Sequence, residues 1–457
     1  MRGRDLPLVR LPRLRTNPEY MTQSTKLLRG RRFLPLFVTQ LLGAFNDNLF
    51  KNAIVFFVVY SVYDSDKAEA KFSAISSAVF ILPFFLLSAL SGQLADMRDK
   101  ARIIRFIKLA EIGIMLVGAC GLLLAWRGIG TQDLAIPLML LALLGMGTHS
   151  TFFGPIKYAI LPQHLADKEV LAGTGLVEAG TYLAILAGTI LAGWIPVQWA
   201  AIGVVITALI GFVSSLAVPS APPLGAIEPL DFHFVRASIR LVRNTMEDRR
   251  VFLAIVAISF FWAVGAILFI EFPPLAKNVL TASKEVASLF LVIFSVGVAL
   301  GSVSINALLK GRVSARYAPA SVLVMAAFII AFEQVCQAWQ PQTDGSLLTV
   351  GAFLVHPLAP ALLGTLAGIA IAGGMFVVPL YAFLTTFVEK SQTARTIAAN
   401  NIVNSGAMVL GASLAVGLSA LGVSIVQQVL LSAAMCLISA WLSYRLFRAE
   451  DDGPQPA

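Results

Sequence analysis

Charge is what this sequence has least of. Only 13% of its 457 residues are charged, against roughly 25% in soluble domains, and that excludes an ordinary globular fold. Cysteine is scarce too. Cys120, Cys336 and Cys436 each stand alone in an apolar run, so neither a disulfide framework nor a metal site is expected. The short alternating segments of a membrane β-barrel are missing. No Gly-x-x-x-x-Gly-Lys phosphate loop occurs, which leaves ATP-driven work within the chain unsupported. No cofactor is expected.

What the sequence does have is apolar blocks. Hydrophobic residues make up 58% of the chain, and mean hydropathy is +0.82. The blocks are long enough to cross a hydrocarbon core of about 30 Å as helix. Spans are expected near 33–63, 73–95, 103–126, 134–161, 170–195 and 197–219. A second set follows near 251–276, 284–309, 317–338, 357–388, 397–420 and 424–446. The chain thus reads as an all-α integral membrane protein of about twelve helices, with a long external loop from Gln334 to Pro357.

The net charge of +9 resides in loops and tails, which fits contact with anionic lipid and not nucleic-acid binding. Basic residues cluster at alternate ends of the spans. Arg29, Arg31 and Arg32 precede the first, and Arg98 to Lys108 follow the second. Arg236 to Arg250 separate the sixth from the seventh, and Lys310, Arg312 and Arg316 follow the eighth. Both termini are therefore expected in the cytoplasm.

Residues 1–32 form a basic tail with no cleavable leader, and Met21 is the expected start. Residues 33–219 and 251–446 form two six-helix bundles, and 447–457 a second cytoplasmic tail. Residues 220–250 join the bundles. There Phe234, Ile239 and Leu241 alternate with Arg236, Arg240 and Arg243, as in an interfacial helix.

The halves repeat. Phe152-Phe-Gly-Pro155-Ile-Lys-Tyr-Ala-Ile-Leu resembles Phe376-Val-Val-Pro379-Leu-Tyr-Ala-Phe-Leu. Leu176-Val-Glu178-Ala-Gly180 resembles Ile402-Val-Asn404-Ser-Gly406, and Gly92 with Lys100 and Arg102 resembles Gly301 with Lys310 and Arg312. Three matches in order imply parallel repeats, which place a substrate path at their interface. After the second span, Gly92-Gln-Leu-Ala-Asp96-Met-Arg98-Asp-Lys100-Ala-Arg102 resembles the signature of the major facilitator superfamily. It departs at Met97, where a basic residue is usual, and at Asp99, where glycine is usual. Gly92, Asp96, Arg98, Lys100 and Arg102 are the candidate conformational gate. Asp96 can meet the positive N-terminal end of a helix in the other half, while the basic residues pair with acids or lipid phosphate.

The first span carries Gln40, Gly43, Asp47 and Lys51 on one helical face, with Asn48 and Asn52 stacked beside it. A carboxylate at mid-span costs about 2.5–3.5 kcal/mol even on the lenient insertion scale. Asp47 must therefore face a wet cavity or a partner, and pairing with Lys51 to lock helices is the alternative. Lys157, beyond Pro155, either snorkels to the interface or pairs with Glu178 on the fifth span. Glu111, Glu271 and Glu333 also fall in or near spans.

Together these segments resemble the bacterial lysophospholipid transporter family from Phe33 onward. The likeness is carried by Gly43-Ala-Phe-Asn-Asp47-Asn48, Pro155-Ile-Lys157-Tyr-Ala-Ile-Leu, Gly175-Leu-Val-Glu178-Ala and Gly374-Met-Phe-Val-Val-Pro379-Leu. The Phe33-Leu-Pro-Leu-Phe start and Lys51 look closer to members fused to an acyltransferase and an acyl-carrier-protein synthetase. The resemblance implies flipping of lysophospholipid across the bacterial inner membrane for reacylation, by alternating access. Asp47, Asn48, Asn46, Lys51, Lys157 and Glu178 are the expected substrate contacts. A separate acyltransferase is the implied partner, and the transporter is expected as a monomer.

Stand-alone members carry a basic residue on the seventh helix. None occurs here between Arg250 and Lys277, so headgroup contacts and substrate range do not transfer directly. The acyltransferase pattern His-x-x-x-x-Asp is also absent. Five positions after His149, His164, His233 and His356 stand Gly154, Glu169, Ser238 and Ala361. A transporter is expected, not an enzyme. A proton-coupled drug or metabolite exporter and a non-transporting scaffold for an acyltransferase are the alternatives.

Overall fold

A computed structural model of the protein describes residues 26–62, 66–224, 230–339 and 347–451. Residues 1–25 of the N-terminal tail, with Met21, and residues 452–457 of the other tail lie outside the described residues. Twelve long helices dominate what is described. In the first half they are α1 (Leu34–Ser61), α2 (Asp66–Met97), α3 (Lys100–Trp126), α4 (Ile136–Ala159), α5 (Asp167–Trp194) and α6 (Val197–Leu216). The second half contains α7 (Arg249–Pro274), α8 (Lys284–Leu309), α9 (Ala318–Ala338), α10 (Ala359–Thr386), α11 (Thr393–Ala420) and α12 (Ile425–Asp451).

Ten of the twelve are long and apolar enough to cross a membrane. The remaining two, α1 and α11, have 28 residues each, about 42 Å of helix, so length is no obstacle. Both carry polar mid-segments: Asn46-Asp47-Asn48 on α1, and Asn400, Asn401 and Asn404 on α11. Polar groups inside a bundle mark pathways more often than ordinary packing.

The packing repeats as the sequence does. Within the first half α1 contacts α5 and α6, α2 contacts α4, and α3 contacts α4 and α6. The second half makes the same five pairings among α7 to α12. Between halves α2 meets α11 and α5 meets α8, two pairings that exchange under the repeat. The same holds for α4 with α11 and α10 with α5. The halves are thus parallel copies around one axis.

The linker supplies the helix Phe234–Thr245. It lies against α2 and α11, where the Ser238 hydroxyl donates to the Phe85 carbonyl at 3.4 Å. Val235 and Ile239, one turn apart, are each 65% exposed, which suits insertion at a membrane interface. The side of the molecule carrying this helix is called the linker face below. On the opposite face, the loop expected from Gln334 begins later, because α9 runs on to Ala338. Val350–Val355 forms a short helix, and Trp339 stacks on His356 with ring centroids 3.8 Å apart.

Candidate functional site

Helix periodicity splits the Asn46-Asp47-Asn48 triplet. Neighbouring residues project about 100° apart, so the three side chains reach different surroundings. Asp47 turns toward α4, where the Ser150 hydroxyl donates to its Oδ2 at 2.5 Å. Its Oδ1 is buried with no hydrogen-bond partner. Asn48 is half-buried and donates to the Ala44 carbonyl in its own helix. Asn52 ties α1 to α5 by donating to Thr189 Oγ1 at 3.0 Å. Lys51 makes no ion pair with Asp47; its ammonium lies 5.6 Å from the centroid of the Phe80 ring. The locking pair that was the alternative for Asp47 is therefore not formed.

Asn46 faces away from these groups and is fully buried. Its amide donates to Glu111 Oε1 at 2.8 Å. The other oxygen of Glu111 binds Lys108 Nζ at 2.5 Å and lies 3.1 Å from His149 Nε2. Lys108 and Glu111 are both completely inaccessible. This network was not anticipated as a unit, because Lys108 reads in sequence as one of the basic residues flanking a span. Its signal was the i, i+3 spacing to Glu111. The network also explains Gly43, since a Cβ there would stand 3.0 Å from Lys108 Nζ.

The Lys157–Glu178 pair, one of the two alternatives for Lys157, is not made either. Glu178 accepts a hydrogen bond from the Tyr158 hydroxyl. Lys157 lies 3.5 Å from Thr181 Oγ1, and Thr181 in turn donates to Gln40 Oε1 at 3.0 Å. Electrostatically, Lys157 still interacts with both Glu178 and Asp47. The two acids and the lysine thus occupy one polar region shared by α1, α4 and α5.

The repeat completes this region from the other half. Tyr158 stacks on Tyr381 of α10, with centroids 4.9 Å apart and planes 8° from parallel. These are the tyrosines of the two matching proline segments. Tyr158 donates to Glu178, whereas the Tyr381 hydroxyl accepts from Asn404, the repeat counterpart of Glu178, at 3.3 Å. Trp262 Nε1 of α7 also donates to that hydroxyl, at 2.9 Å. The tyrosine pair could have been found by reading down the aligned repeat.

The gate residues lie at the linker face. Asp96 caps α11 across the interface: Oδ1 accepts from the Ala394 N–H and Oδ2 from the Arg395 N–H, each at 3.0 Å. The side chain of Arg395 adds a 3.8 Å ion-pair contact. A Cβ on Gly92 would stand 2.9 Å from the Arg395 Cα, so glycine is what lets α2 approach α11. Lys100 is fully buried beside them and interacts electrostatically with Asp96 and Asp99. Arg98 and Arg102 are exposed.

Asp99, the departure from the signature, caps α3 by accepting from the Ala101 N–H at 2.9 Å. Burial pushes this carboxyl up. The hydrogen bonds from the Ser220 hydroxyl and from the N–H groups of Ala221, Arg102 and Ala101 outweigh it and hold Asp99 below the usual carboxylate range. The cap is therefore fully present above the usual Asp value and lost only as pH falls through the lowered one.

The other cross-half contact is equally close. A Cβ on Gly175 of α5 would stand 2.4 Å from the Ser302 carbonyl oxygen of α8. Gly175→Val is expected to penalise the arrangement closed at the linker face by about 1–3 kcal/mol. That moves a balanced equilibrium roughly fivefold or more toward the alternative. Spin-label distances across the linker face should lengthen, and an unchanged distribution would show that α5 and α8 do not close this face.

The sequence profile of the Major Facilitator Superfamily matches residues 36–355. A protein of Citrobacter koseri named lysophospholipid transporter LplT is 26% identical over 394 residues, covering 83% of this chain and 87% of that relative. The protein of the same name from Salmonella newport is also 26% identical, over 83% and 86% of the two chains. Among solved structures, a bacterial homologue of the iron transporter ferroportin in an outward-facing state superposes with a TM-score of 0.67. Its identity is 12%, over 92% of this chain and 99% of that one. The proton:xylose symporter XylE bound to 6-bromo-6-deoxy-D-glucose gives a TM-score of 0.64 at 13% identity, over 94% and 96%. At such identities the structural likeness is one of fold.

Proposed function

Because this chain belongs to the Major Facilitator Superfamily, we propose that it is a transporter moving single-chain phospholipids across the bacterial inner membrane by alternating access. The names of the relatives support that substrate class. The observation that carries it is Asp47, a mid-membrane carboxylate with one oxygen held by Ser150, the other without a partner, and Lys157 within electrostatic range. An acid and a base so placed suit a zwitterionic phosphoethanolamine headgroup, with its ammonium on Asp47 and its phosphate on Lys157. The tyrosine pair and Glu178 border the same region. Asn46 and the network behind it hold α1 in place and do not touch substrate.

We read the linker face as cytoplasmic from the distribution of Lys and Arg, with both termini on that side. The arrangement closed there is then the one open outward. Transport would deliver lysolipid to a separate acyltransferase, with the transporter acting as a monomer. Uptake of labelled lysolipid into acyltransferase-containing spheroplasts tests the function. Chain-dependent uptake and reacylation are expected. Reacylation without the chain, or uptake confined to unrelated drugs, would overturn it.

A proton-coupled exporter is favoured by one specific observation, the buried Lys108, Glu111 and His149 network one residue from Asp47. Uptake that collapses only when the proton gradient is dissipated would support coupling.

Asp96 acts in this reading as a latch. Asp96→Asn keeps one acceptor but removes the charge facing the α11 N-terminus, a loss of about 0.3–2 kcal/mol. Transport is expected to slow severalfold while equilibrium lysolipid binding stays intact. A binding loss as large as that of an Asp47 variant would move Asp96 into the substrate site.

A further inference from the structure

A cleft of about 1370 Å³ opens at the linker face between the two halves. None of the candidate substrate contacts lines it. Asp167 and Lys168, at the start of α5, line it from the first half. Arg250, Lys310, Arg312, Arg316 and Lys390 line it from the second. Of the two acids in its wall, Glu450 is engaged by the Ser314 hydroxyl at 2.9 Å and the Ala315 N–H at 3.0 Å.

Lys310, Arg312, Arg316 and Lys390 are exposed and make no ion pair among the described residues. The floor between them is apolar. Phe383 and Phe387 stack at 4.7 Å, and the Arg250 guanidinium lies 4.1 Å over the Phe387 ring.

The repeat shows that this charge is not simply inherited. In the first half, Lys100 and Arg102 sit with Asp96 and Asp99 in the same loop. Carried to the second half in the same register as Lys310 and Arg312, those acids fall on Asn306 and Leu309. The bases recur and the acids do not. The second loop thus holds three bases to the one acid, Glu450, that binds it, beside an apolar floor at the linker-side ends of α8 and α10. Like charges held together in such a place call for an anion, and the floor calls for one with hydrocarbon attached.

We propose that this cleft is a binding site for the phosphate of an acidic phospholipid, drawn from the leaflet at the linker face. Its headgroup lies among Lys310, Arg312 and Arg316, and its acyl region covers Phe383 and Phe387. Because Lys168 and the Lys310–Arg312 turn flank the α5–α8 contact, the bound lipid bridges the halves. It favours the arrangement closed at this face.

The test is native mass spectrometry of the purified full chain with phosphatidylglycerol, phosphatidylcholine or inorganic phosphate added. The wild-type protein should retain phosphatidylglycerol over phosphatidylcholine. Retention should fall about tenfold or more in Arg312→Gln/Arg316→Gln and largely survive in Arg312→Lys/Arg316→Lys. Lys390→Gln, at the exposed end of the cleft, gives a second and milder loss should the double variant misfold.

Inorganic phosphate that displaces the lipid only at high concentration fits a lipid site. Binding of inorganic phosphate that is equally variant-sensitive, with no lipid preference, keeps the phosphate site but assigns it a soluble source. Equal retention of phosphatidylglycerol by wild-type and glutamine variants overturns the proposal. No arm depends on what the central site transports.

Discussion

Glu111→Gln is expected to destabilise the protein by about 3–5 kcal/mol, because it strands Lys108 as an unpaired cation in a site without water access. Both side chains are completely buried, and the bond between them is 2.5 Å long. Lys108→Met should cost a similar amount by stranding the carboxylate, less whatever His149 recovers from 3.1 Å away. The two losses should not add. In Lys108→Met/Glu111→Leu no charge is left unpaired, and a well-packed apolar replacement for a buried pair is often neutral. What remains is the amide of Asn46, which loses its acceptor at a cost of about 1–3 kcal/mol. The double variant should therefore be more stable than either single one. Denaturation midpoints in micelles measure this directly, and strictly additive losses would rule out a coupled pair.

The network matters for function through position. Residues 46 and 47 of α1 are held by consecutive residues of α4. His149 acts through Glu111 on Asn46, and Ser150 binds Asp47 directly. The register of α1 against α4 is thereby fixed at the carboxylate and at the residue before it. The apolar double variant should keep the fold but loosen that register, lowering transport more than stability.

The fold was legible because membrane helices announce themselves by length. The apolar blocks, the alternating basic ends and the three repeat matches contain the architecture described here. They also point to an Asp96 contact with a helix N-terminus in the other half, which the structure places at α11. Isolated charges in apolar helices were visible for the same reason, since Asp47 is the one acid on α1 and Glu178 the one acid on α5 beyond its first turn.

What stayed hidden depends on which face of a helix turns inward. Lys108 sits among basic residues near a span end and is indistinguishable there from a snorkelling lysine. Only packing against Gly43 and Gly211 reveals it as buried. Asn46 looks like a companion of Asp47 in sequence, yet the helix sends it to α3. In sequence Lys157 is one candidate partner for Glu178, but the adjacent tyrosine reaches it, because Tyr158 is held over it by the stack with Tyr381. Such cross-half contacts have no signature within a single helix.

Asp47→Ala and Lys157→Ala are each expected to abolish most lysolipid uptake while leaving membrane insertion normal. Burying a carboxylate at mid-membrane is unfavourable unless something compensates it. In the structure Ser150 compensates one oxygen; the other has no partner. A ligand ammonium at that oxygen would make a charge-assisted bond of about 1.5–3 kcal/mol, or roughly ten- to a hundredfold in affinity. Lys157 is half-buried, makes no ion pair among the described residues, lies 4.9 Å from the centroid of the Tyr158 ring and meets Thr181 at the long limit of a hydrogen bond. Its ammonium is thus available to a phosphate. Removing either residue leaves the other to meet a zwitterion with one end unpaired, so the losses should exceed those from Asn48→Ala, whose amide is turned to its own helix. The order of sensitivity is the measurement: Asp47 and Lys157 first, Asn48 well behind, and Asn46 acting mainly through folded yield. Diacyl lipid, with twice the hydrocarbon to house, should be carried poorly by all of them. Full uptake in both alanine variants at normal membrane abundance, or diacyl uptake equal to lysolipid, would remove Asp47 and Lys157 from the substrate site.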